Sequence, residues 1–318
     1  MLAVLAGAGC VRLRGHEAFP SQRERMYLIR VVSAVALMFP WASVAGQAAR
    51  PAAQRPASAV TDQFRAQSAL FARRLVQAFD SIPASRYEYK PTPAQQTVGY
   101  IAQHLVDANY ALCDRFGGVK RPKRATDDLA DTLKAKWPKD TLVAQLRESF
   151  SYCVTAMSAV NDANLAEEIS VGSPASAFTQ QRARSLLLFV TDLAEHYAQI
   201  ASYMRLIGLV PPSSLSPVQR TAIDLPVAVL SRYVGAYDVA PGRQFGSPGL
   251  YLDVTVRDGA LLVKPVGQPE GRLWPSSETD FFLKVSNTTI TFTRDADGTV
   301  TGLVVHGNGE DRVGKKVK

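Results

Sequence analysis

Thr92-Pro93-Ala94-Gln95-Gln96-Thr97-Val98-Gly99-Tyr100-Ile101-Ala102-Gln103-His104-Leu105-Val106-Asp107-Ala108-Asn109-Tyr110-Ala111-Leu112 is the stretch whose pattern settles the first half of the chain. Val98, Ile101, His104, Leu105, Ala108 and Leu112 recur at three- and four-residue intervals, the period of one helix face. Thr92, followed by Pro93 and by Gln95 three residues on, has the form of a capping box, so the helix is expected to begin there. A single histidine, His104, lies within the apolar stripe.

Three further helices are predicted around this one. Before it, Phe64, Leu70, Phe71, Leu75 and Phe79 mark a helix over Thr61 to Ser81 that Pro83 ends. After it, Leu142, Leu146, Phe150, Cys153 and Met157 mark a helix from about Asp140. The last is expected to start after Ser173-Pro174 and to run to Gly208, before Pro211-Pro212. Its stripe is read as Leu187, Val190, Leu193, Ile200, Tyr203 and Leu206. Four amphipathic helices with a long second-to-third connection predict a four-helix bundle with a crossover over residues 60–215.

From Asp224 the period changes to that of strands. Leu250 to Val256 and Leu261 to Lys264 flank Asp258-Gly259, a hairpin pattern. Thr289 to Phe292 and Val300 to Val305 flank Asp297-Gly298. Leu273-Trp274-Pro275 and Phe281-Phe282-Leu283 add strands between them. The expected fold class is multidomain, α then β, with a small antiparallel sheet or partly closed barrel over residues 224–318.

Ahead of the helices, Arg30, the apolar run Val31 to Phe39 and the small residues Ala42 to Gly46 read as a signal peptide. Residues 1–46 are thus an N-terminal extension and signal, with translation expected to start at Met26. Residues 47–59, rich in Ala, Pro and Gln, read as a linker. The protein is expected to be exported, periplasmic or secreted, with no stable membrane span after cleavage. An exported chain would keep two cysteines, Cys113 and Cys153. In an oxidising compartment such a pair is a disulfide candidate, the alternative being two buried free thiols.

The net charge of +8 includes the run Lys120, Arg121, Lys123 and Arg124. No recognition motif accompanies the run, so it reads as a solvated inter-helix loop and no nucleic-acid partner is expected.

Besides His104, the exported part holds His196 and His306. Asp192 precedes His196 by four residues, so both lie on one helix face. With His104 opposite, they offer a carboxylate and two imidazoles to one ion and leave positions for water or substrate. Spacing equally permits a core histidine and a surface Asp–His contact. Glu195 points about 100° away from His196 and is read as structural. Tyr100 and Tyr197 are read as packing, with the alternative that they orient a ligand. His306 is read as a strand-end surface residue.

The segments Tyr89-Lys90-Pro91-Thr92-Pro93 and Val98 to Leu105, with Glu195-His196-Tyr197-Ala198-Gln199-Ile200 and Tyr203 to Pro212, resemble the second and last helices of DinB-like proteins. That resemblance covers about residues 60–215. It implies a divalent metal held by a His of the second helix and a His-x-x-x-His pair of the last. Carried over by position, His104 and His196 are ligands, and Asp192 stands where the common pattern has His. Zinc or nickel is the implied ion, and the two-His, one-carboxylate set also admits manganese or iron. The implied activity is a metal-dependent transferase or hydrolase acting on a small molecule, in a chain that could pair as a homodimer. The alternative is a non-catalytic binding or scaffold protein of the cell envelope.

The C-terminal part, with Tyr233-Val234-Gly235-Ala236-Tyr237 as its clearest motif, resembles the β domain appended to β-lactamase-type serine hydrolases. No Ser-x-x-Lys or Gly-x-Ser-x-Gly occurs in the chain, so this part is read as non-catalytic.

Overall fold

The computed structural model describes residues 58–116, 119–172 and 176–318. The signal peptide expected at Met26 to Gly46, nearly all of the 47–59 linker, the Gly117-Gly118 pair and the Ser173-Pro174 helix start lie outside them.

The helical part runs α1 (Ala59–Ser81), α2 (Val98–Asp114), α3 (Asp131–Lys134), α4 (Lys139–Met157), the hairpin β1 (Glu168–Val171) and β2 (Phe178–Gln181), then α5 (Arg182–Leu206). The four long helices share one core. α1 packs on α5 and α4, and α2 packs on α4 and α5. Leu75, Phe79, Ile101, Leu105, Leu146, Leu186, Leu193 and Ile200 are fully buried in it. Cys113 of α2 and Cys153 of α4 are joined by a disulfide, with Cα atoms 5.2 Å apart.

Three expectations are corrected. α2 begins at Val98, not Thr92, because two threonines compete for the cap. The Thr97 side chain accepts the Tyr100 amide at 3.1 Å, whereas the Thr92 hydroxyl turns to the Gln95 side chain. Residues ahead of α2 fold back, with Val98 N bonded to Tyr89 O and Gly99 N to Tyr87 O. Gly99 also lets the end of α3 come close, since a Cβ there would stand 2.3 Å from the Ala135 carbonyl oxygen. Second, the segment after Glu168 forms the β1–β2 hairpin, so α5 starts only at Arg182. Third, the expected Leu193, Ile200 and Tyr203 are buried on α5 together with Leu186, Phe189, Tyr197 and Met204, while Leu187 and Leu206 are exposed. Leucines occupy both faces of this helix, so apolarity alone leaves the phase of the stripe ambiguous.

A short helix α6 (Val227–Leu230) leads into eight strands: β3 (Gly235–Val239), β4 (Leu250–Arg257), β5 (Ala260–Pro265), β6 (Gly271–Pro275), β7 (Asp280–Phe282), β8 (Thr289–Arg294), β9 (Val300–Gly307) and β10 (Glu310–Lys316). Each pairs antiparallel with the next, and β10 pairs with β3, so the sheet closes into a barrel without an edge. The sheet is therefore more complete than the partly closed one expected. Asp258-Gly259 and Asn308-Gly309, all at positive φ, make the two-residue turns that β4–β5 and β9–β10 require. Side chains fill the interior. Phe292 contacts Tyr233, Phe281 and Tyr237 at ring distances of 4.5, 5.4 and 5.6 Å. The Tyr237 hydroxyl donates to the Tyr233 carbonyl at 2.7 Å, so this buried phenol is satisfied.

Candidate metal centre

The apolar stripe of α2 carries His104 against α5, and the i, i+4 spacing of Asp192 and His196 turns both toward it. One ligand atom from each of the three residues lies within 4.8 Å of the others. The His104 and His196 rings meet edge to face, 4.9 Å apart at 85°. Tyr100, one turn before His104, stacks parallel to its ring at 6.4 Å.

His196 Nε2 is 3.7 Å from Asp192 Oδ1, too far for a hydrogen bond. Nε2 of His196 and Oδ2 of Asp192 are buried and have no partner. Burial raises the Asp192 carboxyl above its ordinary range, against the pull of the two imidazoles. Burial likewise lowers His196, with Asp192 opposing and His104 assisting. Unpaired buried polar atoms are uncommon and costly in folded proteins. Here an imidazole biased toward its neutral, ligating form and a carboxylate converge on one point. A divalent cation there would satisfy both orphaned atoms, so the donor set fits one.

The neighbouring candidates have other roles. Glu195 is exposed on the next face of α5. Tyr197 is buried, its hydroxyl accepting the Ser213 amide at 2.7 Å. In the basic run, Arg121 and Arg124 both reach Asp127, and Arg124 also pairs with Asp107 and covers the Tyr110 ring at 4.3 Å. Lys134 is buried between Asp107 and Asp131. Much of this charge is thus neutralised within the fold.

His306 sits in β9, in an arrangement the sequence reading missed. Its Nδ1 is 2.7 Å from Asp311 Oδ1 and its Nε2 is 3.1 Å from Thr291 Oγ1. This has the outline of a hydroxyl–His–Asp triad. However, the Thr291 hydroxyl donates to Asp280 Oδ1 at 2.6 Å, so its proton is already committed and His306 does not activate it. The group is a cross-strand brace. Only the pairing register of β7, β8, β9 and β10 brings its members together, so no local motif announces it.

Residues 69–200, which include all three candidate ligands, match the family model of the DinB superfamily. Residues 219–316 match the model described as a domain of unknown function (DUF3471). No curated protein matches the chain.

Proposed function

We propose that the DinB-like helical domain binds one divalent cation through His104, Asp192 and His196, and that the protein is exported and acts there on a small molecule. The observation that carries the metal site is the pair of orphaned buried atoms, Asp192 Oδ2 and His196 Nε2, in two residues whose ligand atoms cluster with one of His104. The Cys113–Cys153 disulfide supports an oxidising compartment. Zinc or nickel is the ion proposed.

His104, Asp192 and His196 would hold the ion, and the chemistry it would supply there is a lowered pKa for a water or thiol, which would become a nucleophile. The chain's own residues hold and orient. Tyr100 fixes the plane of the His104 ring by stacking. Asp192 adds a negative charge that two imidazoles lack, which favours harder ions than a three-histidine set does.

Elemental mass spectrometry on the metal-replete full chain tests the site. About one equivalent of metal per chain is expected, with loss in both His104→Ala and Asp192→Ala. Metal retained in both variants, or none bound by the wild type, would exclude this centre and leave the scaffold reading.

A further inference from the structure

A cavity of about 400 Å³ lies between the helical part and the loop that joins β3 to β4. None of His104, Asp192 or His196 lines it, so it is separate from the metal centre. Its helical wall is mainly apolar: Ala72 of α1, Phe150, Cys153, Val154 and Met157 of α4, and Phe189 of α5. The opposite wall is the loop Pro241 to Gly249. A volume in this range is that of a small-molecule site, and domain junctions are where such sites concentrate.

The loop is held in place. Arg312 donates to the carbonyls of Ala240 and Pro248 and so ties its two ends. Glu310 accepts the amides of Arg243 and Gln244, and Gly242 N bonds to Ser247 O. Phe245 and Gly246 are both left-handed, at φ 56° and 64°. A phenylalanine in that region is a strained outlier, and such residues gather at ligand clamps. The strain aims the Phe245 ring at Phe150, edge to face at 6.0 Å. Gly246 allows the close approach, since a Cβ there would meet both Val154 methyls at 3.0 Å.

The polar groups of the lining define what fits. Asp62 and Arg65 pair with each other at 3.2 Å, and Arg65 also donates to the carbonyls of Met157 and Val160, so neither charge is offered to a ligand. The hydroxyls of Ser68 and Ser158 donate to Phe64 O and Thr155 O. Ser247 differs. Its Oγ accepts from Arg73 at 3.0 Å, and among the described residues no acceptor takes its own proton. It is a buried donor at the wall of an apolar chamber.

We infer that this cavity binds an uncharged, mainly aromatic or aliphatic small molecule, with an acceptor oxygen of that molecule taking the Ser247 hydroxyl. The inference does not depend on the metal site. The probe is 6-propionyl-2-dimethylaminonaphthalene, a neutral fluorophore with one ketone, titrated against the full chain. Saturable, blue-shifted emission at about one equivalent is expected. Ala72→Leu fills the chamber, and Ser158→Trp, at an exposed position on its rim, closes it without touching the core. Each is expected to weaken the probe roughly tenfold or more, with the far-ultraviolet circular dichroism unchanged. Ser247→Ala, removing one hydrogen bond, weakens it roughly three- to tenfold. The anionic 8-anilinonaphthalene-1-sulfonate binds at least about tenfold more weakly than the ketone, because its charge finds no partner. His104→Ala leaves the probe's binding unchanged. Unaltered binding in the folded Ser158→Trp variant would overturn the site, as would loss of binding in a folded His104→Ala variant. A sulfonate bound as tightly as the ketone would overturn the ligand class.

Discussion

Asp192 occupies a position that folding alone would not select. Its carboxylate is drawn out of water, is raised by that burial, and has one oxygen with no partner. In metal-free protein such a group costs stability, so Asp192→Leu is expected to raise the unfolding free energy by about 1 kcal/mol while abolishing metal binding. Urea unfolding in chelator reads the first effect and elemental analysis the second; a less stable metal-free variant would mean that the carboxylate serves the fold. Asp192→His, which restores the three-histidine pattern of the resembling family, is expected to keep about one metal per chain. Asp127 is the opposite case. Burial alone would raise its carboxyl, but the Arg124 amide and the Arg124 and Arg121 guanidinia outweigh it and hold it at about 2, below its ordinary 3.8. A depressed folded-state pKa contributes stability that is present above the unfolded value and is lost as pH falls through the folded one. With solvent screening of these partly exposed ion pairs discounted, Asp127→Asn is expected to cost about 0.5–1 kcal/mol at pH 7, and the gap from wild type should close between about pH 4 and pH 2. Equilibrium unfolding at those pH values checks it; a constant gap would remove the charge from the explanation.

The start of α2 separates two caps that look alike in one dimension. Thr97→Ala removes the hydrogen bond to the Tyr100 amide and is expected to cost about 1 kcal/mol. Thr92→Ala removes only a side-chain contact in an exposed turn and should stay within about 0.5 kcal/mol of wild type. A loss in thermal unfolding for Thr92→Ala without one for Thr97→Ala would return the cap to Thr92. The same comparison shows what could be read in advance. The existence of the four helices was legible because their apolar periods run over many turns, and Asp192–His196 was legible because i, i+4 is local. His104 could be placed on a stripe by period alone, but its place opposite that pair rested on the resemblance, since packing of α2 on α5 is not local. The β1–β2 hairpin was missed because Glu168–Val171 and Phe178–Gln181 are mostly exposed and carry little apolar alternation. The Pro241–Gly249 loop carries neither a helix nor a strand period. Nothing in its composition says that Phe245 joins the core of a different domain.

Two cores follow from the burial pattern, one among the helices and one inside the barrel, and Phe245 on its loop is the partly buried residue from the barrel part packed against the helical one. The features that could be switched externally all belong to the helical core. The disulfide closes a 40-residue separation between α2 and α4, and the proposed cation bridges α2 and α5. The barrel is stabilised by its own closed hydrogen-bond circuit and by Tyr233, Tyr237, Phe281 and Phe292. Reduction, or Cys113→Ala with Cys153→Ala, is expected to lower the stability of the helical part by about 4 kcal/mol, the chain-entropy value for that loop. Zinc at a hundredfold excess over its dissociation constant is expected to raise it by about 2.7 kcal/mol. Scanning calorimetry should then resolve two transitions, of which reductant and zinc move only one and move it in opposite directions, while the barrel's stays in place. A single transition that shifts as a whole with either agent would mean that the β3–β4 loop couples the two cores into one cooperative unit.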